Sequence, residues 1–199
     1  MTKLSGPVSR LALGTAALVV TTALVHKDQV DEVEKKAFRI VNDLPDRIYR
    51  PVWLVMQLGA LGAAPAAGAT ALAAGNRQLA VRLIAAGSAT WALSKVVKRL
   101  VGRPRPACLL PATHVRGTQA TGLGYLSGHA GVAVALGIAA LPHVGRSGRV
   151  LITGLIPAVG LARMYVGAHL PLDIAGGAAL GLAVEATTGI YQATRNARA

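Results

Sequence analysis

The sequence predicts an all-α protein, a polytopic bundle of six transmembrane helices. Three observations predict it. Hydrophobic residues make up 53% of the 199 and charged residues only 15%, whereas a soluble domain carries about 25% charged residues. Six apolar segments approach the roughly 20 residues needed to cross a bilayer. The polar residues gather in the turns between those segments.

The first segment, Val8–Val25, follows Lys3 and Arg10. It has no convincing small-residue cleavage site, so it reads as a retained signal anchor. A charged stretch follows from His26 to Arg50, with Asp28, Asp31, Glu32, Glu34, Lys35 and Lys36. Within it Val33, Ala37, Ile40 and Val41 recur at helical spacing, which predicts a surface helix, solvated or lying on the membrane. The second span is Pro51–Ala74, closed by the turn Gly75-Asn76-Arg77, and the third is Leu79–Val97. A polar loop rich in Gly, Pro, Arg and Thr then runs from Lys98 to Tyr125. The fourth span is Ser127–Leu141, the fifth Val150–Val166 and the sixth Pro171–Ala193. Gly177 and Gly181 give the sixth span a Gly-x-x-x-Gly pair, a pattern of close helix contact in membranes. The domain reading is a signal anchor and charged surface segment over 1–50, a core of five spans over 51–193, and a basic tail over 194–199.

The net charge is +13. Nucleic acid is one partner for a basic chain, but these basic residues lie between apolar runs, and aromatics are only 4% of the chain. A phosphate-bearing lipid in a bilayer suits both the charge and the apolar body. Cys108 is the sole cysteine, so an internal disulfide and a cysteine metal cluster are excluded.

Three polar clusters carry the chemistry. The first runs from Lys98 to Pro106, and its two prolines stiffen a loop that presents several cations. Such a loop can flank a helix end or clamp a phosphate, and arginine adds forked donors. The second is Leu126-Ser127-Gly128-His129, directly before an apolar run. Ser127 is a good N-cap, and the same helix start is an anion site. The third runs from Arg163 to Asp173. Pro171 suits a first helical turn, and Asp173 there also favours the helix dipole. His169, four residues earlier, can donate to that carboxylate, which would leave its other nitrogen as a nucleophile. Alternation of six spans puts all three clusters on one membrane face.

With these residues in hand, the chain resembles the type 2 phosphatidic acid phosphatases, which share a core with vanadium haloperoxidases. Lys98, six residues and Arg105-Pro106 match the first family motif. Ser127-Gly128-His129 match the second, and Arg163, His169 and Asp173 the third. The resemblance covers roughly residues 50–193. Leu126 replaces the usual proline of the second motif and Ala162 the usual serine of the third. The resemblance implies dephosphorylation of a membrane lipid phosphate through a phosphohistidine, without a metal or other cofactor. His169 would be the nucleophile, His129 the acid and base, and Asp173 the support of His169. Lys98, Arg105, Ser127, Gly128 and Arg163 would hold the phosphate. It also implies a plasma-membrane protein with an extracytoplasmic site, although a raw count of basic residues in the turns points the other way. A lipid phosphotransferase using the same intermediate and a non-enzymatic membrane transporter remain as alternatives.

Overall fold

The computed structural model describes residues 5–25, 29–117 and 121–198. Lys3, His26 and Asp28, which entered the sequence reading, lie outside them. The described residues are helical with a single short backbone bridge, Pro104 to Leu123.

The helices are α1 (Ser5–Leu24), α2 (Glu32–Asn42), α3 (Tyr49–Gln57), α4 (Ala63–Ala73), α5 (Arg77–Val101), α6 (Pro106–Leu109), α7 (Gly128–Ala140), α8 (Arg146–Tyr165) and α9 (Pro171–Asn196). Of these, α1, α5 and α9 are long and apolar enough to cross a membrane, while α4 and α7 are apolar but shorter. The molecule is a membrane protein by these helices. α7 is apolar on every side because α4, α5, α8 and α9 surround it; a helix with no polar face must be buried. α9 packs on α1, α5 and α7.

Small residues set the helix spacing. A Cβ on Gly177 would strike the Ser127 carbonyl, and one on Gly181 the Gly131 carbonyl. The Gly-x-x-x-Gly pair is therefore the seam along which α9 meets α7, as its spacing predicts. Across the other side of α9, Gly14 of α1 lies where a Cβ would be 2.9 Å from the Ala179 carbonyl.

Two local readings are corrected. The expected second span is not one helix: α3 and α4 are separated at residues 58–62. Leu58, Gly59 and Ala60 donate to carbonyls three residues back, a tighter turn than the α-helix. Gly59 also rests against the His129 carbonyl, where no side chain fits. The loop expected from Lys98 begins later, because α5 continues to Val101. It stops at Gly102, whose φ of 72° suits glycine and whose N–H donates to the Lys98 carbonyl. The surface helix expected in the charged stretch is α2, with Val33 and Ile40 exposed, Glu34, Phe38 and Asn42 buried, and Val41 of the same stripe packed inward. At the chain end, α9 runs on through Asn196.

Candidate active site

The C-terminal ends of α5 and α8 and the N-terminal ends of α7 and α9 meet at one end of the bundle, so the three sequence clusters converge. A backbone bond joins the second and third directly: Ser127 N–H donates to the Asp173 carbonyl at 2.8 Å. Within the third, Ala168 N–H donates to the Arg163 carbonyl at 3.0 Å.

The loop after α5 is held as a clasp. Arg105 N–H donates to the Gly122 carbonyl (3.1 Å) and Gly124 N–H to the Arg103 carbonyl (2.7 Å). Lys98, in the last turn of α5, closes it: its ammonium donates to the carbonyls of Gly124 (2.7 Å) and Leu123 (3.2 Å). One of its three N–H donors remains for a ligand. Arg105 reaches the Ala168 carbonyl beside His169 at 3.4 Å. Burial lowers the pKa of Arg105 from its ordinary value, against the pull of Asp173; an arginine stays cationic through such a shift.

Ser127 caps α7. Its hydroxyl oxygen accepts from Ala130 N–H at 3.3 Å. Its own N–H is already committed to Asp173, so of the N–H groups expected to face an anion, those of Gly128 and His129 are the candidates. Gly128 sits where a Cβ would be 2.8 Å from the Ser94 hydroxyl. His129, half-buried in the first turn, has Arg163, Lys98, Arg105 and Lys95 as its electrostatic neighbours.

Arg163 is buried in the last turn of α8, with Nη1 2.8 Å from the Met56 sulfur. The chain then turns sharply at Gly167, with φ 73° and the His114 carbonyl where a Cβ would sit. This turn delivers His169 to the site at 2% exposure.

Asp173, fully buried, has both oxygens engaged. Oδ2 accepts from Leu170 N–H at 2.8 Å, capping α9, and Oδ1 accepts from Arg103 at 3.0 Å. His169 Nδ1 stands 3.5 Å from Oδ2, in ion-pair range but without a hydrogen-bond partner. Catalytic hydrogen bonds are often long until a ligand closes the site. Burial, then the charges of Lys98, Arg163, Arg105 and His129, push the His169 pKa well below its ordinary value. His169 is therefore a neutral imidazole at neutral pH.

Two participants were not singled out from the sequence. Arg103 is 1% exposed and bridges Asp173 to Glu34 of α2, with contacts to Glu34 of 2.6 and 3.1 Å. Burial opposes the charge on Arg103, but the two carboxylates outweigh it and raise its pKa. The available signal for Glu34 was its register with Phe38 and Asn42, one residue off the aliphatic stripe. Asn42 fastens the loop from below: its amide donates to the carbonyls of His114, Met164 and Tyr165 and accepts from His114 N–H.

The two replaced motif residues pack in apolar surroundings. Leu126 is fully buried with Tyr125, Leu180 and Val184, and Ala162 with Met56, Tyr165 and Val166. Cys108 is exposed on α6. Among the described residues no cluster of His, Cys, Asp and Glu has a metal-binding arrangement.

A profile of the PAP2 superfamily matches residues 78–197. The fold is similar to the crystal structure of Aquifex aeolicus LpxE, with a TM-score of 0.73 at 20% identity, covering 85% of this chain and 99% of that one. It is also similar to a transmembrane PAP2-type phosphatidylglycerolphosphate phosphatase from Bacillus subtilis, with a TM-score of 0.70 at 18% identity, covering 98% of each chain. No curated protein sequence matches significantly.

Proposed function

The chain belongs to the PAP2 superfamily, and on that premise we propose that it is an integral membrane phosphatase that hydrolyses a lipid phosphate through a phosphohistidine, without a metal. One observation carries the reading. Four cations, Lys98, Arg103, Arg105 and Arg163, gather at one end of the bundle against two carboxylates, Glu34 and Asp173. Their excess of two positive charges suits a phosphate monoester dianion. A cluster of one sign in a pocket attracts a ligand of the other.

In this reading the membrane is crossed six times, with α3 and α4 together forming one crossing. Lys98, Arg105 and Arg163 hold the phosphate oxygens, joined by the N–H groups of Gly128 and His129 and the Ser127 hydroxyl. Fixed cations then neutralise charge on the transferring group, which is the main demand of phosphoryl transfer. His169 Nε2 attacks phosphorus as the ester P–O bond breaks, and His129 delivers a proton to the departing lipid oxygen. The ring becomes cationic, and Asp173 beside Nδ1 stabilises it. Water then attacks phosphorus and gives its proton to His129. The P–N bond breaks with its electron pair returning to His169, and inorganic phosphate leaves. The site opens on the extracytoplasmic side of the plasma membrane.

The raw count of basic residues opposes that orientation, which rests on the resemblance, and discounting buried and ion-paired arginines removes two from each face and leaves the balance as it was. Arg103 and Arg163 are buried at the site end, and Arg10 and Arg82, at the other end, both pair with buried Glu185. None is a free flanking charge of the kind that sets orientation.

The test is phosphate release by the purified protein in detergent, with phosphatidylglycerolphosphate, phosphatidic acid and polyprenyl diphosphate as substrates and a chelator present. The expected result is release from at least one lipid and none after His169→Ala, with the variant still folded. Release from no lipid, or undiminished release by His169→Ala, would overturn the reading. The phosphatidylglycerolphosphate phosphatase similar in fold puts its lipid first in the panel.

A further inference from the structure

Helix α2 lies outside the stretch matched by the family profile, residues 78–197, yet one of its side chains reaches the base of the site. Glu34 is 6% exposed, and a lone buried carboxylate needs compensation. It receives three hydrogen bonds. Arg103 gives two, Nη2 to Oε2 at 2.6 Å and Nη1 to Oε1 at 3.1 Å, and Leu172 N–H gives the third, to Oε1 at 3.0 Å. Arg103 Nη1 is shared with Asp173 Oδ1 at 3.0 Å. Leu172 lies in the first turn of α9, immediately before Asp173.

We propose that Glu34 and Arg103 are positioning residues for the proposed reaction, a relay that sets the charge and orientation of Asp173 and, through it, the tautomer of His169. Neither residue touches the phosphate in this account. Glu34 acts in two ways. It divides the charge of Arg103, so that Asp173 keeps negative character toward His169 Nδ1. It also pins the turn of helix from which Asp173 projects. A forked guanidinium is required, because a single ammonium cannot span both carboxylates in this geometry. The inward register of α2, with Glu34 and Phe38 facing the site end and Val33 and Ile40 facing out, is what brings the carboxylate to the relay.

The relay rests on the proposed function, so its test has two arms. The first uses no turnover. Full-length protein labelled with ¹⁵N-histidine in detergent is examined by NMR with inorganic phosphate present, His169→Ala providing the assignment. The wild type should show His169 protonated at Nδ1, and Glu34→Gln should shift it toward the Nε2-protonated tautomer. An unchanged tautomer in a folded Glu34→Gln protein would overturn the relay, whether or not any lipid is hydrolysed. The second arm is kinetic, on a lipid the wild type hydrolyses. Glu34→Gln should lower kcat about 10- to 100-fold, the usual cost of losing an outer partner of a reactive group. KM and inhibition by inorganic phosphate should stay within about twofold, because the phosphate contacts are intact. Arg103→Lys should behave alike. A rise in KM at constant kcat, or a loss of activity that only follows the unfolded fraction, would mean that α2 is merely structural. Wild-type inactivity on every lipid would instead count against the proposed function, and the tautomer would still decide the relay.

Discussion

Replacing Asp173 with asparagine separates the electrostatic role of the carboxylate from its shape. Both oxygens now accept hydrogen bonds, Oδ1 from Arg103 at 3.0 Å and Oδ2 from Leu170 N–H at 2.8 Å, and Oδ2 lies 3.5 Å from His169 Nδ1. An amide has only one acceptor oxygen, so its NH₂ must face a donor on one side. Turned toward Arg103, it meets a buried guanidinium, and breaking such a pair costs about 3–5 kcal/mol. Turned toward Leu170, it loses a helix cap worth about 0.5–2 kcal/mol and part of the ion pair. The second orientation costs less, and a total of about 2–4 kcal/mol follows. For a chain of this size that lowers Tm by about 5–15 °C. The same orientation points N–H donors at His169 Nδ1, which favours the tautomer carrying its proton on Nε2 and removes the nucleophilic lone pair. Turnover should fall about 10²- to 10⁴-fold, with KM little changed because the cationic cradle is untouched. The assay is phosphate release per folded molecule, with the melting curve as control. An Asp173→Asn protein that turns over within about threefold of wild type would refute the reasoning.

Three further outcomes follow from the geometry. Gly177→Ala and Gly181→Ala should each cost about 1–3 kcal/mol by overpacking the α7–α9 seam, read by thermal melting. Gly177→Ala should also lose more activity per folded molecule, because it displaces the Ser127 carbonyl at the start of α7. The pH dependence has a defined sign. His169 titrates below its ordinary value of 6.5 in the folded chain, so the stability it contributes is full above about pH 6.5 and is lost as pH falls below it. The slope is about 1.4 kcal/mol per pH unit for one proton. The acid limb of kcat/KM should likewise lie below 6.5, and a limb well above that value would contradict a neutral, buried His169. Finally, Glu185→Gln should destabilise by about 3–5 kcal/mol by leaving Arg10 and Arg82 without their shared counter-charge. Activity per folded molecule should persist, because Glu185 lies about 18 Å along α9 from Asp173.

The legible parts of the molecule were those written in local patterns. The bundle class followed from apolar segments. The convergence of Lys98, His129, Arg163 and His169 followed from the alternation of helices, since each cluster sits at a helix end. The Gly177–Gly181 seam followed from spacing alone. Other features depend on partners far away in sequence. Glu34 sits in a run of charges that reads as solvated, and its partners are distant: Arg103, 69 residues on, and the Leu172 N–H. Arg103 lies among other cations, and nothing local separates the one that holds two carboxylates from its neighbours in the loop. The break between α3 and α4 is hidden in an unbroken apolar stretch, and the His129 carbonyl that approaches Gly59 there comes from 70 residues away. Ser127 reads as an N-cap with free N–H groups, yet its own N–H is taken by Asp173, 46 residues later in the sequence.

The stereochemistry at phosphorus tests the covalent route most directly. An isotopically chiral phosphorothioate of a lipid that the enzyme hydrolyses, cleaved in labelled water, gives a chiral thiophosphate whose configuration can be read. Two in-line displacements, first by His169 and then by water, predict overall retention. Inversion would mean that water attacks the lipid phosphate directly and that His169 forms no bond to phosphorus.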